Sequence, residues 1–376
     1  MTKLQIGVVG GGVAGLSAAF RLAKHGHDIT VFDPNPAMGA SHAAAGMLAP
    51  ASEANFSEVP LLRLMQHSNE LWPEFAAELE EISRVPVGLR MEGTLVIGYE
   101  PNDARDLERL AEFQNELGIE VTRLTRHQLK ELEPELGGPF PFAAMIDSDN
   151  QLDNRALMKS LLKAIELLGV RLVRQAVKSV HSLGPNIYEL YLDDDKIARP
   201  EIILLAAGSY LGDIGGLPAP ISSSIRPVKG QIIRVQAPSP TLLRHVVRSK
   251  TYGKTLYMVP RVSGEIVIGA TQEEVGFDMT AKVRPIAEML TSATLLLPGI
   301  GEADFTEQMV RFRPGSFDNA PILGRYEDSN LFLCLGHFRH GILLSAALSK
   351  YVSASIETGR QPPEIEQFSA SRLEVN

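Results

Sequence analysis

The stretch that most constrains the fold is residues 4–33, which predict a strand, a helix and a second strand joined by glycines. Residues 4–9 are typical of a buried strand, and the glycines after them turn the chain into a helix that ends near Gly26. A second predicted strand, residues 28–32, follows. This order forms a βαβ unit, which predicts a parallel sheet.

The turn between the first strand and the helix carries the motif G-x-G-x-x-G, written GGGVAG over residues 10–15. Its first glycine permits a tight turn, its second permits close approach of a pyrophosphate, and its third lets the helix pack closely on the strand. The helix N-terminus offers free N–H groups to phosphate. A merely structural glycine turn is the alternative. Because an acid follows the second strand, the pattern predicts a dinucleotide site at Gly10, Gly12, Val13, Ala14, Gly15 and Asp33.

The regular alternation stops after Asp33 and resumes at Asp153, which is placed to cap a helix. Between them, residues 37–57 predict a long ordered loop, a feature that often signals function. Residues 60–83 predict a helix that Pro73 should kink or split. The first domain is therefore expected to be discontinuous in sequence.

From Arg226 to Arg313 the apolar residues recur with a period of two, which predicts an antiparallel sheet inserted into the parallel body. The glycine motif does not distinguish NAD from FAD, but this discontinuous organisation favours FAD. The expected fold is α/β, with a Rossmann-like FAD-binding domain and an inserted substrate domain. We assign residues 1–84, 147–221 and 314–376 to the FAD-binding domain, and residues 85–146 and 222–313 to the substrate-binding domain.

The composition predicts a globular protein that does not bind nucleic acid. The 376 residues suffice for two domains, and 44% hydrophobic with 22% charged residues argues against disorder. The formal charge of −9 includes no basic cluster long enough to follow a phosphate backbone.

The single cysteine, Cys334, excludes an internal disulfide and a thiolate metal site, and it predicts a reducing compartment, the cytoplasm. No set of His, Asp and Glu has metal-binding spacing, so we expect no metal. No apolar run approaches the roughly 18 residues of a membrane span, and the N-terminus lacks the features of a signal peptide. We therefore expect no membrane partner.

Several stretches, in order along the chain, resemble the glycine oxidases, flavoenzymes of the D-amino acid oxidase fold group. They are the N-terminal βαβ unit, SHAAAGMLAP (41–50), YMVPRVSGEIVIGAT (257–271), RFRPG (311–315) and GHFRHGILL (336–344). The resemblance implies a glutathione reductase-like fold, FAD, a small amine or amino acid substrate, and oxygen. It also implies a homo-oligomer, a dimer or tetramer, and a role in thiamin thiazole synthesis with hand-off to thiazole synthase.

The resemblance implies three substrate-binding residues. Arg313 matches the arginine that holds the substrate carboxylate, and Tyr257 matches a tyrosine whose hydroxyl adds a further hydrogen bond. Gln272 stands where a methionine can line the pocket, which leaves substrate preference open. The alternatives are a solvated strand arginine, like Arg311 on the same face, and a half-buried strand tyrosine.

The resemblance also implies the contacts to FAD. Ser41 would bond a phosphate or ribitol oxygen, and the small residues after it would lie along the flavin ring. The backbone of Val177 would contact adenine, and Arg339 would add positive charge beside the reduced flavin or else cap loop oxygens. The full implied set, beyond the glycine motif and Asp33, is Ser41, Ala44, Ala45, Gly46, Met47, Val177, Ala207, Gly208, His337, Arg339, His340, Gly341, Ile342 and Leu343.

The implied reaction is oxidation of glycine or a related small amine by hydride transfer to flavin N5. The imine would hydrolyse to glyoxylate or another 2-oxo acid and ammonia, and oxygen would become hydrogen peroxide. Transfer from a neutral amine needs no base at the α-carbon, so orientation and electrostatics carry the catalysis. The alternatives are an amino acid dehydrogenase that reduces a quinone or protein carrier, and a flavin-binding subunit of a hetero-oligomer.

Overall fold

Two large sheets organise the chain. The structure, a computed structural model, describes residues 3–54, 58–184 and 186–374. The strands are, in chain order, β1 (Gln5–Val9), β2 (Asp28–Phe32), β3 (Met47–Leu48), β4 (Thr94–Gly98), β5 (Thr122–Arg123), β6 (Phe142–Ile146), β7 (Asn150–Gln151), β8 (Arg171–Val173), β9 (Val177–Gly184), β10 (Ile187–Leu192), β11 (Ile197–Ala198), β12 (Ile202–Leu205), β13 (Arg226–Gln236), β14 (Val246–Thr251), β15 (Lys254–Pro260), β16 (Glu265–Gly269), β17 (Asp304–Gly315), β18 (Ile322–Arg325) and β19 (Leu331–Leu335). The α-helices are α1 (Val13–Lys24), α2 (Ala40–Ala43), α3 (Val59–Ser83), α4 (Pro101–Glu116), α5 (Arg126–Leu132), α6 (Asn154–Leu167), α7 (Ala219–Ser222), α8 (Val283–Leu296) and α9 (Gly341–Thr358).

The first sheet has six strands in the order β18-β19-β12-β1-β2-β8, and only the edge strand β18 runs antiparallel to its neighbour. Its central strands are apolar on both faces because both faces are covered. Ile6 and Val8 of β1 join a core with helices α1, α3, α6 and α9. Val9, which points the other way, joins a second core with the three-stranded sheet β9 to β11. The predicted parallel α/β body is confirmed.

The second sheet has eight strands in the order β17-β13-β16-β15-β14-β4-β6-β5. All its neighbours are antiparallel except β14 and β4. One face packs on α8 through an apolar core that includes Ile233, Ile268 and Leu296. The other face turns toward the first sheet. The predicted antiparallel sheet is thus confirmed, although β14 was not foreseen in it.

Two local features differ from what was predicted. Pro73 does not split α3, because it lies on the exposed side while Trp72 and Phe75 beside it are buried. The Trp72 indole also donates a hydrogen bond to the Leu343 carbonyl at 2.8 Å, so packing outweighs the one lost backbone bond. Residues 37–57 are not simply a loop, since they contain α2 and β3. Residues 55–57 of that segment lie outside the described residues.

The strands of the six-stranded sheet come from the segments 1–84, 147–221 and 314–376, and those of the eight-stranded sheet begin within 85–146 and 222–313. We propose that these segments are the FAD-binding and substrate-binding domains, because each set supplies one complete sheet. No helix within the described part of the chain combines the length and apolar character needed to span a bilayer.

The N-terminus of helix α6 is capped by the side chain of Asp153. The Asp153 carboxylate accepts the backbone N–H groups of Arg155 at 2.9 Å and Ala156 at 3.1 Å. Replacing Asp153 by Ala leaves these donors without the cap, so we expect a loss of about 1 kcal/mol in the free energy of unfolding. Urea denaturation measures it. Asp193→Ala, at an exposed turn, is the control and should change stability by less than about 0.5 kcal/mol. Equal effects of the two substitutions would contradict the capping role.

Candidate active site

A cavity of about 1630 Å³ lies between the two sheets, at the carboxyl ends of β1 and β12. This exceeds the roughly 300–1,000 Å³ of a typical small-ligand pocket, so it has room for a dinucleotide and a small substrate together. The structure brings all but one of the predicted site residues to its wall. They are Gly10, Gly12, Val13, Ala14, Asp33, Ser41, Ala44, Ala45, Gly46, Met47, Val177, Ala207, Gly208, Tyr257, Gln272, Arg313, His337, Arg339, His340, Gly341, Ile342 and Leu343.

Gly15 is the predicted residue that does not line the cavity. A Cβ at Gly15 would lie 2.0 Å from the Gly10 carbonyl oxygen, and one at Gly10 would lie 2.3 Å from the Ala206 oxygen. These contacts show close packing of β1, α1 and the end of β12, where no side chain fits. A Cβ at Gly12, in contrast, would meet nothing nearer than the Ser41 hydroxyl at 3.6 Å. The turn therefore leaves open space at the N-terminus of α1, as a bound pyrophosphate requires.

Two polar side chains hold this turn in shape. The Asp33 carboxylate accepts the N–H of Gly11 at 2.6 Å and that of Asn35 at 2.7 Å. The Ser41 hydroxyl accepts the N–H of Val13 at 3.0 Å. Both residues border the cavity and also organise the backbone around it, a second task that the motif did not predict.

The segment 41–47 is anchored from behind by buried polar groups. The Asn154 side-chain amide donates to the carbonyl oxygens of Ser41 and His42, both at 2.9 Å. The Arg261 guanidinium donates to the Ala45 carbonyl at 2.6 Å, and burial lowers the pKa of Arg261 to about 10. The backbone of this segment is therefore fixed against the cavity.

The start of α9 forms a further part of the cavity wall, beside Val13 of the glycine turn. His340 is the residue before the helix, and His337 lies one turn earlier; both are buried. Burial lowers the pKa of each histidine to about 4. Near neutral pH the positive charge of this stretch therefore resides on Arg339 alone, whose Nε lies 3.0 Å from Glu53.

The wall formed by the eight-stranded sheet carries Tyr257 and Arg313, each above a glycine. The Arg313 guanidinium covers Gly230, where a Cβ would lie 2.6 Å from Nη1, and the Tyr257 hydroxyl covers Gly269 in the same way at 2.4 Å. Arg313 Nη1 donates to the Thr271 carbonyl at 2.9 Å. No carboxylate among the described residues forms an ion pair with Arg313, so its charge is available to a ligand.

Arg311, on the same face, has a different environment. Its Nε donates to the Met38 carbonyl at 3.0 Å, and its Nη1 donates to the Val310 carbonyl at 2.7 Å. The sequence could not distinguish these two arginines, because both have the same position in the alternation of β17. The loop after β16 makes the difference, since it offers Arg313 one carbonyl and leaves the rest of the guanidinium toward the cavity.

Glu53 and Arg248 are among the charged residues of the wall that sequence reasoning missed. The Glu53 carboxylate contacts Arg248 Nη1 on one side and Arg339 on the other. Burial alone would raise the pKa of Glu53, but the two arginines outweigh it and lower that pKa to about 2. No motif marked Glu53, and Arg248 lies on the unforeseen strand β14. Only the structure shows that Arg248 pairs directly with Tyr257.

Comparisons with known proteins agree with this geometry. The sequence model of the DAO family, described as FAD dependent oxidoreductase, matches residues 5–355. A glycine oxidase of Geobacillus kaustophilus is 32% identical to this chain over 98% of the chain and 97% of its own length. The crystal structure of glycine oxidase from that organism has a TM-score of 0.89 and 31% identity, and the match covers 99% of both chains.

A longer relative is the bifunctional protein ThiO/ThiG of Trichormus variabilis. It is 31% identical over 100% of this chain, which spans only 56% of its length. The glycine turn, the cavity and the two-sheet architecture all fit a bound flavin dinucleotide. Because the family model also matches nearly the whole chain, we conclude that this protein belongs to the FAD-dependent oxidoreductase family and uses FAD as its cofactor.

Proposed function

We propose that this protein oxidises glycine or a related small amine at the bond between its α-carbon and nitrogen. The observation that carries the proposal is the Arg313 guanidinium, which faces the FAD cavity without a carboxylate partner among the described residues. A planar guanidinium in this state suits a substrate carboxylate, which it can hold by paired hydrogen bonds. The similarity to glycine oxidase supports the choice of a small amine.

In this proposal, Arg313 and Tyr257 orient the substrate. Burial raises the pKa of Tyr257, so its hydroxyl stays protonated and can donate a hydrogen bond to the same carboxylate. Gln272 lines the cavity beyond Thr271 and would contact the rest of the substrate. The amide of Gln272 gives this wall a polar character that suits short amines with further polar groups.

Bound FAD supplies the hydride acceptor, and its reoxidation by oxygen gives hydrogen peroxide. This chain then needs to hold the amine close and keep the carboxylate fixed, since loss of a hydride from a neutral amine requires no protein base at the α-carbon. The products are the imine, then a 2-oxo acid and ammonia after hydrolysis. Oxygen takes up the two electrons that the amine loses.

The residues proposed to hold FAD fall into three groups. The glycine turn with Asp33 and Ser41 would hold the pyrophosphate and ribose, and Val177, Ala207 and Gly208 would border the dinucleotide. Residues 44–47 would lie along the flavin ring. His337, Arg339 and His340, with the first amides of α9 at Gly341, Ile342 and Leu343, would face negative charge on the reduced ring.

We further propose that the imine is handed to thiazole synthase and that the protein forms a homo-oligomer. Relatives in which this chain's length is fused to further sequence bear the name ThiO/ThiG, which supports a functional link between the two activities. An imine hydrolyses readily in water, so direct transfer would protect it.

The role of Arg313 is tested by substitution. Arg313→Ala should raise the KM for glycine by an amount corresponding to about 2–4 kcal/mol, because it removes a charge-assisted contact to the carboxylate. The KM of Arg313→Lys should lie between that of the unsubstituted protein and that of Arg313→Ala, because lysine keeps the positive charge but cannot form the paired hydrogen bonds of a guanidinium. Steady-state peroxide production measures both. Arg284→Ala, on the exposed side of α8, is the control. An unchanged KM in Arg313→Ala would contradict the assignment.

The two buried histidines predict a pH effect on stability. Their pKa values in the folded protein, about 4, lie below the 6.5 of the unfolded chain. The unfolded chain therefore binds more protons between these values, and stability should fall as pH drops from about 6.5 toward 4. At pH 5 each neutral buried histidine lowers the free energy of unfolding by roughly 2 kcal/mol. Melting of the FAD-loaded protein at pH 7.5 and 5.0 should show a smaller decrease in His340→Gln, whereas the exposed control His127→Gln should match the unsubstituted protein. Identical decreases in His340→Gln and the control would argue against a neutral His340.

The function itself is tested by anaerobic mixing of the FAD-loaded protein with glycine, sarcosine, D-alanine and other small amines. We expect bleaching of the flavin absorbance, followed by rapid return of the colour and formation of peroxide when air is admitted. Bleaching with slow reoxidation by oxygen but fast reoxidation by a quinone would indicate a dehydrogenase. Retention of FAD with no bleaching by any amine would indicate a non-catalytic flavin subunit. Either result would overturn the proposed oxidase.

A further inference from the structure

Besides Arg313, the cavity wall carries a group of charged side chains near Tyr257. Arg248 of β14 and Arg339 before α9 both contact the carboxylate of Glu53, and these three residues are here called the Arg–Glu–Arg cluster. Glu53 is ionised, because its two neighbours lower its pKa to about 2. The cluster thus joins two guanidinium groups to one carboxylate, and Asp149 is a further carboxylate that interacts with Arg248.

Sheet register places the cluster beside the proposed substrate site. Arg248 pairs directly with Tyr257, and Tyr257 pairs with Gly269, so all three lie in one row on the cavity face. The Arg313 guanidinium covers Gly230 on β13, and β13 is separated from β14 by β16 and β15. Three spacings of about 4.8 Å therefore separate Gly230, which lies under the Arg313 guanidinium, from Arg248, or roughly 14 Å at the level of the backbone. Tyr257 stands between them.

Arg248 retains donors for a ligand. Its Nη1 donates a hydrogen bond to Glu53 and lies 3.8 Å from the Met47 sulfur. Its Nε and Nη2 donate to no group in the described part of the chain. The side chain is 21% exposed, although it lines an interior cavity. A brace between two sheets would not need unused donors that face a cavity, so this feature indicates binding.

Glu53 is held firmly in place. The fully buried Asp149 carboxylate accepts the N–H of Ala51 at 2.9 Å and that of Ser52 at 2.7 Å, which fixes the turn that carries Glu53. The cluster is therefore built into the cavity wall rather than assembled from free surface side chains.

We infer that the Arg–Glu–Arg cluster binds a second acidic group of the substrate, through Arg248, while Arg313 and Tyr257 bind the first carboxylate. The substrate class is then a small amine with two acidic groups, such as a glycine that bears a second carboxylate on its nitrogen or its α-carbon. This inference rests on the proposed function, because it takes Arg313 as the first carboxylate site.

Binding of non-oxidisable ligands tests the inference without turnover. Succinate and butyrate have nearly the same shape and differ by one carboxylate, and perturbation of the flavin absorbance in the FAD-loaded protein reports the binding of either. We expect succinate to bind at least tenfold more tightly than butyrate. Arg248→Met should abolish this preference by weakening succinate alone, and the control Arg284→Met should retain it. Glu53→Gln should strengthen the binding of succinate relative to that of butyrate, because the carboxylate that competes with the ligand for Arg248 is gone.

Equal affinities of succinate and butyrate for the unsubstituted protein would overturn the inference, as would a preference that survives Arg248→Met. If Arg248→Met and Glu53→Gln weaken both ligands equally, the cluster is only a structural brace and the inference also fails. The proposed function is judged separately by anaerobic bleaching with glycine. Bleaching by glycine without a preference for succinate would contradict only the binding of a second acidic group at Arg248. A preference for succinate without bleaching by any amine would contradict only the proposed oxidase activity.

Discussion

One buried side chain, Asn154, links the two large sheets by hydrogen bonds. Its amide nitrogen donates to Ser41 and His42 of the segment beside the cavity, and its amide oxygen accepts from Arg234 at 3.1 Å and Arg261 at 3.2 Å. The first contacts belong to the part of the chain around the parallel sheet, and the arginines belong to the antiparallel sheet. A buried polar network of this kind is stabilising only when its members are satisfied, and here the hydrogen-bonding capacity of the amide is used in full.

The same network explains why the cavity wall can be built from small residues. Alanines and glycines in segment 41–47 have little side chain with which to pack, so their position must come from backbone hydrogen bonds. Asn154 and Arg261 supply these bonds from the side away from the cavity. The face toward the cavity is left smooth and open, which suits the flat ring of a flavin.

Arg313 and the Arg–Glu–Arg cluster are two charged parts of the cavity wall. Arg313 faces the cavity without an ion-pair partner among the described residues, whereas Arg248 and Arg339 share Glu53. His337 and His340 add no charge near neutral pH, because burial keeps them unprotonated. The arrangement favours anionic ligands at two separate points and places Tyr257, a neutral donor, between them.

The sequence by itself determined the βαβ unit with its glycine turn and the inserted antiparallel sheet, because glycine spacing and apolar period are local properties. The resemblance to the glycine oxidases supplied most of the candidate site residues, and all of the candidates except Gly15 line the cavity. Only the tertiary structure separated Arg313 from Arg311, kept α3 continuous through Pro73, and brought Glu53 to Arg248 and Arg339. These outcomes depend on which distant groups meet a side chain. Glu53 and Arg248 are 195 positions apart, and no local pattern specifies that contact. It arises because the two sheets pack with their cavity faces together, so charges from separate segments share one enclosed space.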